Sequence, residues 1–478
     1  MNIKAAAVTL RQNAWAPTFA PRFRSTWLRF GMLAAPHLRL TQRRGFLTFF
    51  LQKKQNLFCR MMISCADIAC GNFEIDGETV ADQTIAKYLN ELTILTMLRV
   101  QGQASRIEIA RHLSVTPATI TRLVNNLIER GLVQDVELAN ADRQTAREPG
   151  RPATNVALNA AGAFFFGVEV GVEIIRFALV DLAANVVQTI ERPFHNQMSP
   201  ERVASEIGRQ VNKLKKNPIY SDNLKGVGIA FPGIVRSDGF VVNLPLVGWR
   251  NVDFPNLLSQ HIDLPFFIEN DANAGAFGCV YNDPSLPNAC NLFLKLDVGC
   301  GGAAIVDGRL LRGANGTAGE FGHLRLSDDG PLCGCGNRGC LESKIGLGAI
   351  ARQFLGVHDL SNIELAHLPE RIVEAARNGD IRALETMDSF THWLALGLVS
   401  LVNLYNPSII FLGGPVAKLA QAAVDRISQR VRDGVVSGIP APTLMFSALD
   451  AFEGAIGAAS IAHHHTFDIS RVGVIGAR

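Results

Sequence analysis

Apolar positions first take up a regular spacing near Gln83. Ile85, Leu89, Leu92, Leu95 and Met97/Leu98 recur mostly at steps of three and four residues, which predicts a helix stopped by Gln101-Gly102. Ser105 with Glu108 three residues on reads as a capping box, and Ile109 and Leu113 give this second helix its buried side. After a turn through Ser114-Val115-Thr116, Thr116 caps a third helix with Pro117 in its first turn and an end at Gly131. Ile120, Leu123, Val124, Leu127 and Ile128 form its inner stripe, leaving Ala118, Thr119, Thr121, Arg122 and Asn125 outside. Residues 132–136 and 155–158 read as two strands around a polar stretch, 140–152, that holds Arg143, Arg147 and Arg151. This is the pattern of a winged helix-turn-helix.

From Phe164 onward strands and Gly-rich turns dominate and later alternate with helices, as an α/β fold requires. Residues 165–187 read as strand, turn at Gly171, strand, Asp181 and a further strand. Residues 292–311 repeat the plan, with a turn through Gly299-Gly301 and another at Asp307-Gly308. Such a repeat predicts two related lobes with a cleft between them.

A chain of 478 residues is too long for one ordinary core, and its 48% hydrophobic and 19% charged residues fit a globular protein. The formal charge of +3 neither demands nor forbids a polyanionic partner. Residues 1–66 stand apart, with eleven Lys or Arg and no acid before Asp67. That start reads either as a targeting segment or as a poorly ordered extension, with Met61 or Met62 as alternative starts; the extension is the reading adopted. No apolar run approaches the ~20 residues that span a bilayer, so neither membrane association nor export is expected and the location expected is cytoplasmic. Of nine cysteines only Cys333, Cys335 and Cys340 cluster, which reads as an intracellular metal site rather than a disulfide framework.

The segments Arg312-Gly-Ala-Asn-Gly-Thr-Ala-Gly-Glu320-Phe-Gly-His323 and Cys333-Gly-Cys335-Gly-Asn-Arg-Gly-Cys340-Leu-Glu342 resemble the ROK family of repressors and sugar kinases. So do Glu269-Asn270-Asp271-Ala272-Asn273, Asn243-Leu-Pro245, residues 226–233 and Ile410-Phe-Leu-Gly413-Gly414, in the family's order. With the helix-turn-helix in front, the arrangement is similar to the repressor branch, of the xylose or N-acetylglucosamine repressor type. The resemblance implies an actin-like (ribonuclease H-like) two-lobed ATPase architecture, in dimers or dimers of dimers. The organisation expected is a basic extension over 1–80, a winged helix-turn-helix over 81–160, a first lobe over 161–287 and a second over 288–478, its last helix returning to the first lobe.

His323 with Cys333, Cys335 and Cys340 matches the ligand set of a closed tetrahedral Zn²⁺ site, and Gly334, Gly336 and Gly339 let the loop fold around an ion. Four protein ligands leave no open position, so the metal is expected to be structural and, by resemblance, to orient His323 toward a sugar. Carboxylates and amides accept and donate to vicinal hydroxyls, and Asn270, Asp271, Glu320, His323 and Glu342 are the sugar-binding candidates. In kinases of the family the position of Asp271 is the base, here expected to be vestigial.

The family's phosphate turns read Asp-x-Gly-x-Thr and Gly-Thr-Gly-x-Gly-x-Gly, where this chain has Glu169-Val-Gly171-Val-Glu173 and Asp297-Val-Gly299-Cys-Gly301-Gly-Ala303. A carboxylate ~4 Å from a phosphate oxygen costs on the order of 4 kcal/mol at an effective dielectric near 20. ATP is therefore not expected; the same acids holding Mg²⁺ is the alternative. Thr119, Thr121, Arg122 and Asn125 are expected to meet operator DNA in the major groove, and Arg147 and Arg151 to reach its backbone or minor groove. The function expected is a sugar-responsive DNA-binding regulator that repressed genes of carbohydrate use answer to, with a sugar or sugar phosphate as effector and no kinase activity. The rival is an active ATP-dependent sugar kinase carrying a DNA-binding arm, and a third reading has a protein as the regulator's ligand.

Overall fold

The computed structural model describes residues 38–43, 46–51, 79–136, 155–171, 174–194 and 199–467, apart from 284, 288, 361, 362 and 366. Arg143, Arg147, Arg151 and Glu173, singled out above, lie outside the described residues. In the basic extension, expected to lack fixed structure, β1 (Leu38–Arg43) pairs antiparallel with β2 (Phe46–Leu51). Residues 80–478 form a second unit, described by itself from here on.

That unit opens with α1 (Thr79–Gln101), which starts six residues before Ile85, the first spaced apolar position, and ends where Gly102 turns to φ +77°. A short strand, β3 (Gln103–Ser105), leads into α2 (Arg106–Leu113). Ser105 and Glu108 close the capping box in both directions, and Ser114 ends the helix in the left-handed conformation. α3 (Pro117–Glu129) starts from Thr116, whose hydroxyl accepts from the Thr119 N–H. β4 (Val133–Val136) and β5 (Asn155–Leu158) form the wing and pair with β3 in the order β3-β5-β4. The third strand was not anticipated, because three residues carry no periodicity and β3 exists only through its pairing with β5.

Next come β6 (Phe164–Val170), β7 (Ile174–Asp181), β8 (Val186–Pro193), α4 (Pro200–Lys215) and β9 (Leu224–Phe231). A small sheet of β10 (Ile234–Val235), β11 (Val241–Leu244) and β12 (Trp249–Val252) follows, then α5 (Phe254–Ser259), β13 (Phe266–Asn270) and α6 (Asp271–Tyr281). β14 (Asn291–Leu296), β15 (Cys300–Val306) and β16 (Arg309–Leu310) begin the second half, followed by α7 (Glu342–Ile345), α8 (Leu347–Leu355), α9 (Leu368–Arg377) and α10 (Ile381–Tyr405). The chain ends through β17 (Ile409–Gly413), α11 (Ala417–Ala422), α12 (Val424–Gly434), β18 (Thr443–Phe446) and α13 (Glu453–Thr466).

The two large sheets have one topology. Their orders, β13-β9-β6-β7-β8 and β16-β15-β14-β17-β18, superimpose when one is reversed. In each the first three strands run antiparallel and the last two join parallel to the first. The repeated strand-turn-strand plan in the sequence is this duplication.

α13 packs on β6, β9 and β7 and crosses α6, which itself packs on β14 and β15. The crossing needs glycine: a Cβ on Gly457 would lie 1.9 Å from the Ala274 carbonyl oxygen. One hydrophobic core joins the winged helix to the first sheet, because Ile94, Leu98, Ile109 and Leu127 pack in the same cluster as Phe165, Leu182, Ala459 and Ala462. A fully buried side chain such as Phe165 contributes about 1.5–3 kcal/mol, so the winged helix is fused to its neighbour and not strung beside it.

Candidate functional site

β13 delivers Glu269 and Asn270 to the start of α6. Asn270 caps that helix, its Oδ1 accepting from the Asn273 N–H at 3.0 Å while its Nδ2 donates to the Gly233 carbonyl at 3.0 Å. Glu269 is buried and accepts from the Asn270 N–H at 3.0 Å and the Asn273 Nδ2 at 2.9 Å. Its other oxygen accepts from Arg312. Arg312 opens the Gly-rich stretch leading to Glu320, so this ion pair ties that stretch to the first sheet.

Asp271, the first residue of α6, accepts from the Ala272 N–H through Oδ1 at 2.9 Å. Its Oδ2 accepts from Lys295 Nζ at 2.7 Å, and the same ammonium donates to Glu169 Oε1 at 2.5 Å. Lys295 is 7% exposed, so one cation from β14 sits between two carboxylates of the other sheet and its helix. Burial works against the ammonium, but Asp271 and Glu169, aided by Asp297 and Glu453, overcome it and hold its pKa well above the ordinary lysine value. Glu453 lies beyond, with neither carboxyl oxygen hydrogen-bonded among the described residues, and burial pushes its pKa up to about 8.

The hairpin between β14 and β15 is closed by acids. Asp297 Oδ1 accepts from the Val298 N–H at 2.8 Å, and Glu342 Oε2 accepts from the Cys300 N–H at 3.0 Å. The loop carrying His323 packs directly on this hairpin, since a Cβ on Gly322 would stand 1.9 Å from the Cys300 carbonyl oxygen.

The ligand atoms of His323, Cys333, Cys335 and Cys340 all lie within 4.8 Å of one another. His323 Nδ1 is 3.5 Å from Cys333 Sγ, and Cys335 Sγ is 3.7 Å from Cys340 Sγ. The edges of a tetrahedron built on metal–sulfur and metal–nitrogen bonds of about 2.3 and 2.0 Å are about 3.8 and 3.5 Å, so the four residues could hold one ion. With Nδ1 turned to the thiols, the other ring nitrogen points outward, 3.9 Å from Glu320 Oε2.

The cleft beside α6 is lined by Asn270, Asn273, Gly301, Gly302, Thr317 and Glu320, among others. Of the sugar-binding candidates, Asn270 and Glu320 therefore line it and Asp271 adjoins it through the helix start. His323 stands behind Glu320, and Glu342 is turned to the Cys300 N–H and to Cys333 Sγ at 3.4 Å. Lys295, Glu269, Asn273 and Arg312 were not singled out as site residues. Lys295 had a signal, a charge in the otherwise apolar strand Leu-Phe-Leu-Lys-Leu. On α3, Thr121, Arg122 and Asn125 are exposed and Thr119 is half-buried against Thr116.

The sequence model of the ROK family matches residues 165–465, more than half of the chain. The chain belongs to the ROK family. The MarR family model matches residues 87–138, which hold most of α1 and all of α2, α3 and β4. The molecule is thus a MarR-type winged helix-turn-helix followed by a ROK domain of actin-like ATPase fold. The xylose repressor of Bacillus spizizenii is 26% identical over 399 residues, which cover 82% of this ROK chain and 100% of the repressor. The glucokinase of Halalkalibacterium halodurans is 30% identical over 291 residues, covering 57% of this chain and 88% of the kinase. Among solved structures, a ROK family transcriptional regulator homologous to the Escherichia coli MLC protein matches with a TM-score of 0.66 at 23% identity, covering 82% of this chain and all of its own.

Proposed function

We propose that this ROK protein is a sugar-responsive DNA-binding repressor. The observation that carries the reading is the placement of α6. Its first turn holds Asn270 and Asp271 at the cleft, and its last residue, Tyr281, meets Arg99 of the winged helix's first helix. Eleven residues of helix span about 16 Å, so a ligand that shifts the start of α6 moves a support of the DNA-binding fold. The similarity to a xylose repressor along that repressor's whole length supports the same reading. α3 inserts in the major groove with Thr119, Thr121, Arg122 and Asn125, and sugar binding changes the spacing of two winged helices in a dimer.

The Cys₃His cluster takes zinc in this reading. His323, Cys333, Cys335 and Cys340 would hold the ion, and His323, turned to the thiols through Nδ1, would then keep Nε2 as a donor facing Glu320, whose carboxylate would be left to sugar hydroxyls. In this reading phosphoryl transfer is lost: the Lys295 ammonium donates to Asp271 Oδ2 and opposes protonation of that carboxylate, which weakens it as a base. The carboxylates of Asp297 and Glu342 take hairpin N–H groups that a phosphate would need. The chain works on DNA in the cytoplasm, and no described helix is long and apolar enough to cross a membrane.

Fluorescence anisotropy with labelled DNA from upstream of the protein's own gene tests the reading. The affinity is expected to fall by tenfold or more on adding an effective sugar from a panel of aldoses and N-acetylhexosamines, with no phosphorylated product when Mg-ATP is present. Turnover that disappears in Asp271→Asn would favour the kinase instead.

A further inference from the structure

The cations beside the cleft, Lys295 and Arg312, and the N–H groups of Ala272, Asn273, Val298 and Cys300 are already engaged. Lys295 is shared by Glu169 and Asp271, and Arg312 by Glu269. The start of α6 would attract an anion through its exposed N–H groups, yet the Ala272 N–H is taken by Asp271 and the Asn273 N–H by Asn270. At the β14–β15 hairpin the Val298 and Cys300 N–H groups are held by Asp297 and Glu342. Of the eleven residues lining the cleft the only charged one is Glu320, an acid.

An incoming phosphate or carboxylate would therefore meet Glu320 and Asp271 and displace an existing ion pair to find a partner. A hydroxyl meets the same groups differently, because it brings the hydrogen that a carboxylate accepts. We propose that the effector is an uncharged sugar, and that this arrangement of carboxylates excludes the phosphorylated form of the same sugar. The inference rests on the reading of the cleft as a sugar site and adds the charge of the ligand to it. Lys295 sets the limit of the exclusion: it cancels one of the two carboxylates beside it and leaves one negative charge over.

Isothermal titration calorimetry on the full-length, zinc-loaded chain tests the inference. The probes are D-glucose, D-mannose, N-acetyl-D-glucosamine and D-xylose, each beside its terminal phosphate. At least one neutral sugar is expected to bind, with its phosphate weaker by a hundredfold or more. Glu169→Gln, which keeps the shape beside Lys295 and removes one negative charge, is expected to shrink the ratio of the two affinities about tenfold. A phosphate that binds as tightly as its parent sugar, or a ratio that Glu169→Gln leaves in place, overturns the proposal. Binding of neither kind removes the reading of the cleft itself, and the inference falls with it.

Discussion

The guanidinium of Arg99 lies over the ring of Tyr281, 4.2 Å from its centroid, and Nη1 donates to the Tyr281 carbonyl at 2.7 Å. One side chain of α1 thus both stacks on the last residue of α6 and caps a carbonyl at that helix's C-terminal end, where a cation is favoured. The hydroxyl of the same tyrosine meets Nδ1 of His463 on α13 at 2.8 Å, and Nε2 of that histidine meets the Leu182 carbonyl at 2.9 Å. The winged helix, the cleft helix and the helix crossing it come together at this joint.

Replacing Arg99 should loosen the joint without touching either binding surface. Arg99→Ala is expected to keep sugar affinity within about twofold and to cut the factor by which sugar weakens operator binding by about fivefold or more, 1 kcal/mol of coupling or above. Anisotropy titrations with and without saturating sugar measure that factor. An undiminished factor would show that coupling runs elsewhere.

The Lys295 pairs predict a marked non-additivity. Lys295→Met leaves Glu169 and Asp271 buried and uncompensated, and should destabilise the protein by about 3–5 kcal/mol. Adding Glu169→Gln to that variant should restore part of the loss, where independent sites would only add their costs. Urea denaturation of the two single variants and the double variant checks this. A double variant no more stable than Lys295→Met would argue against a coupled cluster.

Metal content gives a third test. The purified chain should carry one zinc per protomer by elemental analysis, and Cys335→Ser should lose most of it. With the metal gone His323 loses its fixed orientation beside Glu320, and sugar affinity should fall 10–100-fold. Unresponsive sugar affinity after chelation would separate the cluster from the cleft.

Two buried groups set the pH dependence of stability. Glu453 ionises near pH 8 when folded and in the ordinary carboxylate range when unfolded, so the unfolded state loses its proton first. Its contribution is full below about pH 4.5 and is lost as pH rises toward about 8, at up to about 1.4 kcal/mol per unit. His463 runs the other way. Burial, opposed by the Leu182 carbonyl and reinforced by Arg99, lowers its pKa to about 4, so stability falls as pH drops from about 6.5 to about 4. Thermal unfolding of Glu453→Gln across pH 5–9 should show a gain over the parent that grows with pH; a constant difference would contradict it.

Much of the fold was legible because the signals were local. Ser105 and Glu108 form the capping box their spacing implies, Thr116 caps α3, and Asp307-Gly308 makes the tight turn that closes β15 on β16, both residues at positive φ. The Cys₃His spacing also carried itself, since four ligands lie within one short stretch. The pairs that join separate parts of the chain were not legible. Lys295 finds Glu169 across 126 residues and Arg99 finds Tyr281 across 182, and neither separation leaves a trace in periodicity or turn chemistry. Glu342 shows the same gap from the other side. Its motif made it a sugar-binding candidate but gave no sign that its carboxylate also accepts from the Cys300 N–H and stands against Cys333.

Reciprocity tests the central claim most directly, because a ligand that weakens DNA binding must itself be weakened by DNA to the same extent. The effective sugar should be titrated into the free protein and into its complex with saturating operator, in one buffer and at one salt concentration. The account predicts a loss of sugar affinity in the complex equal to the loss of operator affinity that the sugar causes. Equal sugar affinity with and without operator would contradict it.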